Sequence, residues 1–418
     1  MFSAIREILA SSHLTLYLLV LGYFWCNWTL KLTLSLLYRP FRESFTGRVS
    51  VVMPVYNEDR EVLEQAIRRV LAQSADLITE VIVVTDRREP DLPDWLKTHF
   101  GSDPRLRITT GSTPGKRFSL RLGIELAREE IVVSIESDVM IREDSISELI
   151  KPFNDARIGG AIGDQEVHLP HRNAWTWLDF ICEKVKYTLT YPAQGALKQV
   201  SVLSGRTVAY RRSAVTPLLD GLTMEYFLGR HCVSGDDGRL TSLLLEAGWK
   251  TGFQSTSVVE TLSPQSMRGL LRQRTRWNRN TCRRTLRALF WDRLWVWRRY
   301  PLVTWSMLTA WLNPIMVGLT LYLLAASLYN GHFFWFGETA ADISLRVGVL
   351  FAGLLATRIV RCLPALRDIA RRRPGWRWLL FFALPGYLLL LFGVRLRAIA
   401  TMNKQGWVTR QMATAGGF

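Results

Sequence analysis

The stretch Ile131-Val132-Val133-Ser134-Ile135-Glu136-Ser137-Asp138 decides how the chain reads. A short, uncharged, β-branched run has the composition of a strand buried on both faces, and the abrupt change to two carboxylates one residue apart marks its carboxyl end. Working outward, apolar runs recur at Val49 to Met53 and Glu80 to Val84, and helical patterns occupy Glu61 to Ala72 and Ser119 to Arg128. Strands alternating with amphipathic helices predict an α/β domain with a parallel sheet and crossover helices, from Gly47 to about Lys250. Ligands of such sheets sit beyond the carboxyl ends of the strands, so the polar residues after each run are the first candidates for a site.

The rest of the chain has a different character. Its 418 residues are 48% hydrophobic with a mean hydropathy of +0.08, enough for one sizeable domain and several apolar segments. His13 to Tyr38 is apolar except for Lys31 and long enough to span; its length and the lack of a small-residue cleavage site speak against a signal peptide. Arg268 to Arg299 is basic and Trp-rich, a pattern suited to interfacial helices. Two further spans are expected at Pro301 to Tyr329 and Leu345 to Leu366. The loop between them, Asn330 to Ser344, contains no Lys or Arg, so the positive-inside rule puts the α/β domain in the cytoplasm. Trp376 to Val394 is apolar, with arginines at both ends and Pro385-Gly386 at its middle. It reads as an interfacial or re-entrant segment that returns its carboxyl end to the cytoplasm, a fourth span being the alternative. The expected organisation is therefore 1–46, 47–267, 268–300, 301–366 and 367–418, in a multi-pass protein of the cell membrane.

A net charge of +17 admits nucleic acid, anionic lipid or an anionic substrate as partner. The arginines cluster at Arg268 to Arg287 and Arg371 to Arg377, beside apolar segments, which favours the lipid bilayer over nucleic acid. The five cysteines show neither CxxC nor Cys/His spacing, so no zinc site or disulfide framework is expected.

Candidate site residues follow the strands. Tyr56 and Glu58 end the first run, where a ring and an acceptor suit a nucleobase but also an ordinary loop. Asp86 ends the second and suits a base or ribose. Gly115-Lys116-Arg117 precedes a helix, so Lys116 and free amides can meet a diphosphate; a solvated basic turn is the plain alternative. Glu136 and Asp138 are placed to hold Mg²⁺ or Mn²⁺ against phosphate oxygens. Of Asp236 and Asp237, one ionised carboxylate can act as general base toward a hydroxyl, while a helix cap is the structural alternative. Gln273-Arg274-Thr275-Arg276-Trp277 adds guanidinium forks for phosphate and a ring on which a sugar stacks.

In this order the strings PVYNE (54–58), GKR (115–117), ESD (136–138), SGRTVAYR (204–211), GDD (235–237), QRTRW (273–277) and WVTR (407–410) resemble the membrane-bound, processive family 2 glycosyltransferases. That group includes the hyaluronan, chitin and cellulose synthases, and the order is also similar to that of pneumococcal type 3 capsule synthases. The resemblance covers nearly the whole chain. It implies a GT-A fold, inverting transfer from a UDP-sugar donor, and export of a nascent β-linked polysaccharide through the membrane region. It also implies roles: Tyr56, Glu58 and Asp86 on uridine, Lys116 and Glu136 with the donor, Asp138 on the metal, and Asp237, paired with Asp236, as base. Gln273 and Arg276 would meet the pyrophosphate, Trp277 with Ser204, Gly205 and Arg206 the acceptor, and Trp407 and Arg410 would belong to a gate. Three departures stand out: Glu136 where Asp is usual, Gly238 where relatives often carry Arg, and a single span before the domain, which implies a secretion path that is either small or completed by a second copy. A non-processive enzyme adding one sugar to a lipid, and a non-enzymatic basic membrane module, are the competing readings. Selectivity among UDP-glucose, UDP-glucuronate and UDP-N-acetylglucosamine depends on pocket shape rather than on any of these strings.

Overall fold

Every residue of Val49–Val55 (β1) is buried, as its apolar composition requires, and the sheet is built around it. In the computed structural model, which describes residues 12–290, 299–329 and 340–404, β1 lies between Ile78–Asp86 (β2) and Ile131–Ile135 (β4), parallel to both. Leu106–Gly111 (β3) extends the sheet beyond β2, again parallel. Beyond β4 the pattern mixes: Thr207–Arg211 (β7) pairs antiparallel with β4 and with Ile158–Val167 (β6), Lys250–Thr261 (β10) runs parallel to β6, and Val139–Ile141 (β5) closes the edge. The order is β3-β2-β1-β4-β7-β6-β10-β5. The expected α/β sheet is present, and the carboxyl ends of β1, β2 and β4 open on one rim.

Helices cover both faces. Arg60–Leu71 (α2) starts where Asp59 accepts the amides of Glu61 and Val62 at 2.9 and 3.3 Å, an N-cap that fixes its first turn. Its Val62, Leu63, Ala66, Ile67 and Val70 recur at helical spacing and pack with Leu92–Phe100 (α3) against one face. On the other face Lys116–Leu126 (α4) approaches β1 so closely that a Cβ on Gly123 would lie 2.2 Å from Val52 Cγ1. Ala174–Val185 (α5) follows β6, the short hairpin Tyr226–Phe227 (β8) and Arg230–His231 (β9) precedes Asp236–Glu246 (α6), and Met267–Phe290 (α7) leaves β10 as one continuous helix.

The apolar helices are tied to this domain by specific polar bonds. Ser12–Leu37 (α1) leads to Tyr38, whose hydroxyl donates to the Phe253 carbonyl and accepts from the Ser255 amide, both at 3.0 Å. Pro301–Tyr329 (α8) meets α1 where Trp305 donates to Asn27 at 3.0 Å and Tyr23 donates to Asn313 at 2.7 Å. Pro314 has no N–H for the Ala310 carbonyl four residues earlier, and the Arg395 guanidinium donates to that carbonyl instead while also holding Asn278 Oδ1 at 2.6 Å. Ala340–Arg371 (α9) and Leu380–Ala400 (α10) share a core with α5: Trp177, Phe180 and Ile181 pack with Ile369, Phe381, Leu384 and Tyr387.

Among the described residues, two helical stretches are long and apolar enough to cross a membrane, Pro301–Leu323 and Gly375–Ala400. Pro385-Gly386, a pair expected to break or kink a helix, does not break α10, which runs as one helix through both residues. A proline removes a single backbone bond, and buried Pro385 sits between Leu384 and Tyr387, which are both clamped in the core with α5. The amino end of this segment touches the α/β domain and its carboxyl end touches α7. Arg372 pairs with Glu166 and Arg377 with the His171 carbonyl before it, and Thr401 accepts from Arg279 of α7 at 2.9 Å after it.

Arg395→Met should leave the Ala310 carbonyl and the Asn278 amide without their shared donor and lower stability by about 1–3 kcal/mol, read as an earlier tryptophan-fluorescence melt in detergent. Arg395→Lys should recover part of the loss.

Candidate active site

The rim of the sheet opens into a cavity of about 790 Å³ whose wall includes Glu58, Lys116, Glu136, Asp138, Ser204, Gly205, Arg206, Asp236, Asp237, Gln273, Arg276 and Trp277. A small adjoining cleft holds Tyr56 and Asp86 and shares Lys116 and Glu136 with it. The described residues expected in the site are thus brought together from seven separate segments. Trp407 and Arg410 lie outside the described residues; the described chain ends at Lys404, whose carbonyl, with that of Met402, accepts from Arg283 on the cavity wall at 3.4 and 3.2 Å.

Lys116 is the centre of the arrangement. It stands at the first position of α4 after Gly115, which adopts φ +120°, a backbone that favours glycine. Its Nζ is bonded to Glu136 at the end of β4 and lies 2.9 Å from Asp236 Oδ2 at the start of α6. Burial disfavours the ammonium, but the two carboxylates outweigh burial and raise the lysine above its ordinary range. The expected diphosphate ligand is therefore also the cation that joins the two acidic motifs. Gly205 is small for the same reason, since a Cβ there would lie 3.1 Å from Lys116 Nζ and 3.5 Å from Asp236 Oδ2.

The Asp pair opens α6, but the cap position belongs to Gly235, at φ +84°, and neither aspartate caps the helix with its side chain. Both sit in the first turn, where free amides favour negative charge. Among the described residues Asp237 Oδ1 accepts only the neighbouring Gly238 amide, at 2.7 Å. Burial, and then the adjacent Asp236, push Asp237 above the ordinary carboxylate range, with Lys116 opposing.

The cleft contains a residue that sequence reasoning missed. Arg88 grips both oxygens of buried Asp86 at 2.8 and 2.7 Å and lies over the Tyr56 ring at 3.8 Å from its centre. Its fork, ahead of the effect of burial, holds Asp86 below its usual value. The signal was local, two residues past Asp86 in the turn that ends β2. Glu58 accepts from Ser137 at 2.8 Å, which joins the first motif to the third.

On the far wall, Trp277 is surrounded by cations: Arg274, Arg206 and Lys186 lie 4.8, 5.2 and 6.0 Å from its ring centre. Lys186 opens a π-helical turn, Lys186–Thr190, that no local pattern announced. Arg274 belongs to the motif yet faces the protein, pairing with Asp179 and with Glu183 at 2.9 Å on α5. Burial raises Glu183, but Lys186, Arg274 and Arg206 more than reverse this and keep it ionised. Among the described residues no group of three His, Cys, Asp or Glu converges on one point. Asp138 and Glu136 nevertheless face the same cavity, which fits a divalent ion held by one or two carboxylates together with substrate phosphates.

The profile of the family described as Glycosyltransferase like family 2 matches residues 47–280. The chain belongs to that family. As a family 2 glycosyltransferase it is 28% identical over 375 residues to an N-acetylglucosaminyltransferase of Bradyrhizobium diazoefficiens, covering 87% of this chain and 72% of the relative. It is 31% identical over 268 residues to a hyaluronan synthase of Streptococcus pyogenes, covering 62% of each. Its fold is similar to that of a mannosyltransferase from Pyrobaculum calidifontis solved in complex with GDP-Man and Mn²⁺, with TM-score 0.57 and 18% identity over 88% of this chain and 99% of that one. The glycosyltransferase thus has the expected GT-A fold.

Arg274→Met should leave Asp179 and Glu183 buried without their cation and cost roughly 3–5 kcal/mol, seen as a large drop in the melting temperature of the purified transferase.

Proposed function

We propose that this glycosyltransferase moves a sugar from a UDP-sugar to a growing β-linked polysaccharide with inversion, and exports the product along its own membrane helices. The observation that carries the proposal is the single cavity in which Asp237, an aspartate that meets no side-chain donor among the described residues, shares a wall with the cation-ringed Trp277. In this reading the uracil occupies the Tyr56 face once the half-exposed Arg88 swings aside, Asp86 takes the ribose, and Arg276 and Gln273 face the diphosphate. Asp138, with Glu136 nearby, would hold Mg²⁺ or Mn²⁺, which when bound supplies positive charge at the diphosphate. Trp277, flanked by Ser204 and Arg206, stacks the terminal sugar of the acceptor.

The chemistry then needs little more. Asp237 accepts the proton of the acceptor hydroxyl as that oxygen bonds to the anomeric carbon from the face opposite the diphosphate. The carbon–oxygen bond to UDP breaks and its electron pair leaves with the diphosphate, so the configuration inverts. Polymer growth, rather than single addition to a lipid, is favoured by α7, which carries Trp277 and packs directly against α10. The contacts of the α10 segment, with the α/β domain before it and with α7 after it, favour an interfacial course that returns its carboxyl end to the cytoplasmic side. The names of the relatives make UDP-N-acetylglucosamine the first donor to try, alone and paired with UDP-glucuronate; homopolymer and alternating copolymer are the two product forms.

Release of UDP from a panel of UDP-sugars by purified protein tests the reading. Asp237→Asn should abolish turnover, by at least about 100-fold, while binding UDP nearly as the parent does; retained turnover removes Asp237 as the base. Because Asp237 is raised, turnover should fall as pH drops through a value above the usual carboxylate range, since only the ionised form accepts the proton. Trp277→Ala should weaken polymer formation more than UDP affinity.

A further inference from the structure

We infer that Arg284 is the positioning residue that supplies the counter-charge of Asp237, and that residue 238 is glycine so that Arg284 can reach it. The inference rests on the assignment of Asp237 as base. The two acidic side chains of the pair are served differently. Asp236 has an ion pair with Lys116 at 2.9 Å, whereas among the described residues Asp237 receives no side-chain hydrogen bond and accepts the Gly238 amide. Arg284, one turn past Asn280 on α7, crosses the start of α6 over bare Gly238, where a Cβ would stand 3.2 Å from Arg284 Cδ. Its Nη1 donates to the Ser201 carbonyl, and its Nε is buried with no hydrogen-bond partner. Among the described residues no carboxylate forms an ion pair with it; burial disfavours its charged form, and the carboxylate of Asp237 opposes that. Gly238, Asp237, Ser201 and Arg284 all border the cavity.

A guanidinium taken from water without an ion pair is costly to keep, and its position gives the reason for keeping it. Anchored on a backbone carbonyl, Arg284 supplies positive potential at Asp237 without occupying a carboxylate oxygen. A directly bonded arginine would compete with the acceptor hydroxyl for a carboxylate oxygen. Held at one remove, the charge favours the ionised base and leaves an oxygen open toward the cavity. Lys116 also acts on Asp237, but Asp236 and Glu136 already share it, so Arg284 adds a cation that no other carboxylate holds among the described residues.

The experiment compares Arg284→Met, Arg284→Lys, Gly238→Leu and Asp237→Asn in the purified full-length protein, with UDP as the binding probe and UDP release from the active UDP-sugar as the rate. Arg284→Met should lower kcat by roughly 10-fold to 100-fold while the Kd for UDP changes by less than about threefold, and Arg284→Lys should restore most of the rate. Gly238→Leu, a good helix former that keeps Arg284 but fills its path, should lower kcat with no loss of melting temperature. It carries the test if Arg284→Met does not fold. Parent-like kcat in Arg284→Met or Gly238→Leu overturns the inference, as does a loss of UDP affinity equal to the loss of rate, which would make Arg284 a diphosphate ligand. Asp237→Asn separates the two levels: if it still turns over, the base assignment fails, and if it is dead while Arg284→Met is active, only the role of Arg284 fails.

Discussion

The bond network of Lys116 is the constraint on which the site depends. One ammonium, fixed at the first position of α4, holds the end of β4 through Glu136 and the start of α6 through Asp236. These elements come from distant parts of the chain and would repel one another through their carboxylates without it. Glycine at 205 leaves the room this pairing needs, and Gly115 supplies the turn that delivers the lysine. The donor side and the acceptor side of the cavity are therefore set relative to each other by electrostatics in a partly dry place, and the sheet provides the rigid frame.

A second network ties that frame to the apolar helices. Arg274 links α7 to Asp179 and Glu183 on α5, and α5 in turn shares a core with α9 and α10. The same helix presents Trp277 to the cavity and Arg279 and Asn278 to α10. In the proposed function a polymer leaving Trp277 would start beside segments apolar enough to cross a membrane, which would give a physical route from sugar transfer to export.

Much of this was legible in the sequence, for identifiable reasons. β1, β2 and β4 are continuous β-branched runs because they are buried on both faces, and their terminal residues, Tyr56, Asp86, Glu136 and Asp138, fall where a parallel sheet puts a site. β6 was harder, because its glycines dilute the strand signal: a Cβ on Gly163 would sit 2.4 Å from the Ser257 carbonyl of β10, so packing removed the side chains that pattern reading needs. The basic run from Arg268 to Arg287 read as a membrane edge apart from the QRTRW forks, yet Arg274 of that motif is a buried ion-pair partner, and Arg284 faces the cavity together with the expected Arg276. Charge alone does not distinguish these fates; the phase of the helix does. Lys186 was out of reach because a π-turn, set by tertiary packing, aims it. Pro385 does not break α10 because neighbouring helices hold it in place across the missing bond.

The central claim is that one cavity both forms the glycosidic bond and retains the product for the next round. The most direct measurement is the size and location of product made by the protein in sealed vesicles, with the α/β domain outside and labelled UDP-sugar supplied in excess over protein. Processive synthesis with export predicts long polymer at early times, enclosed in the vesicles and resistant to added glycosidase until detergent is present. Products that carry one added sugar, or short chains that lengthen together and stay outside, would contradict it.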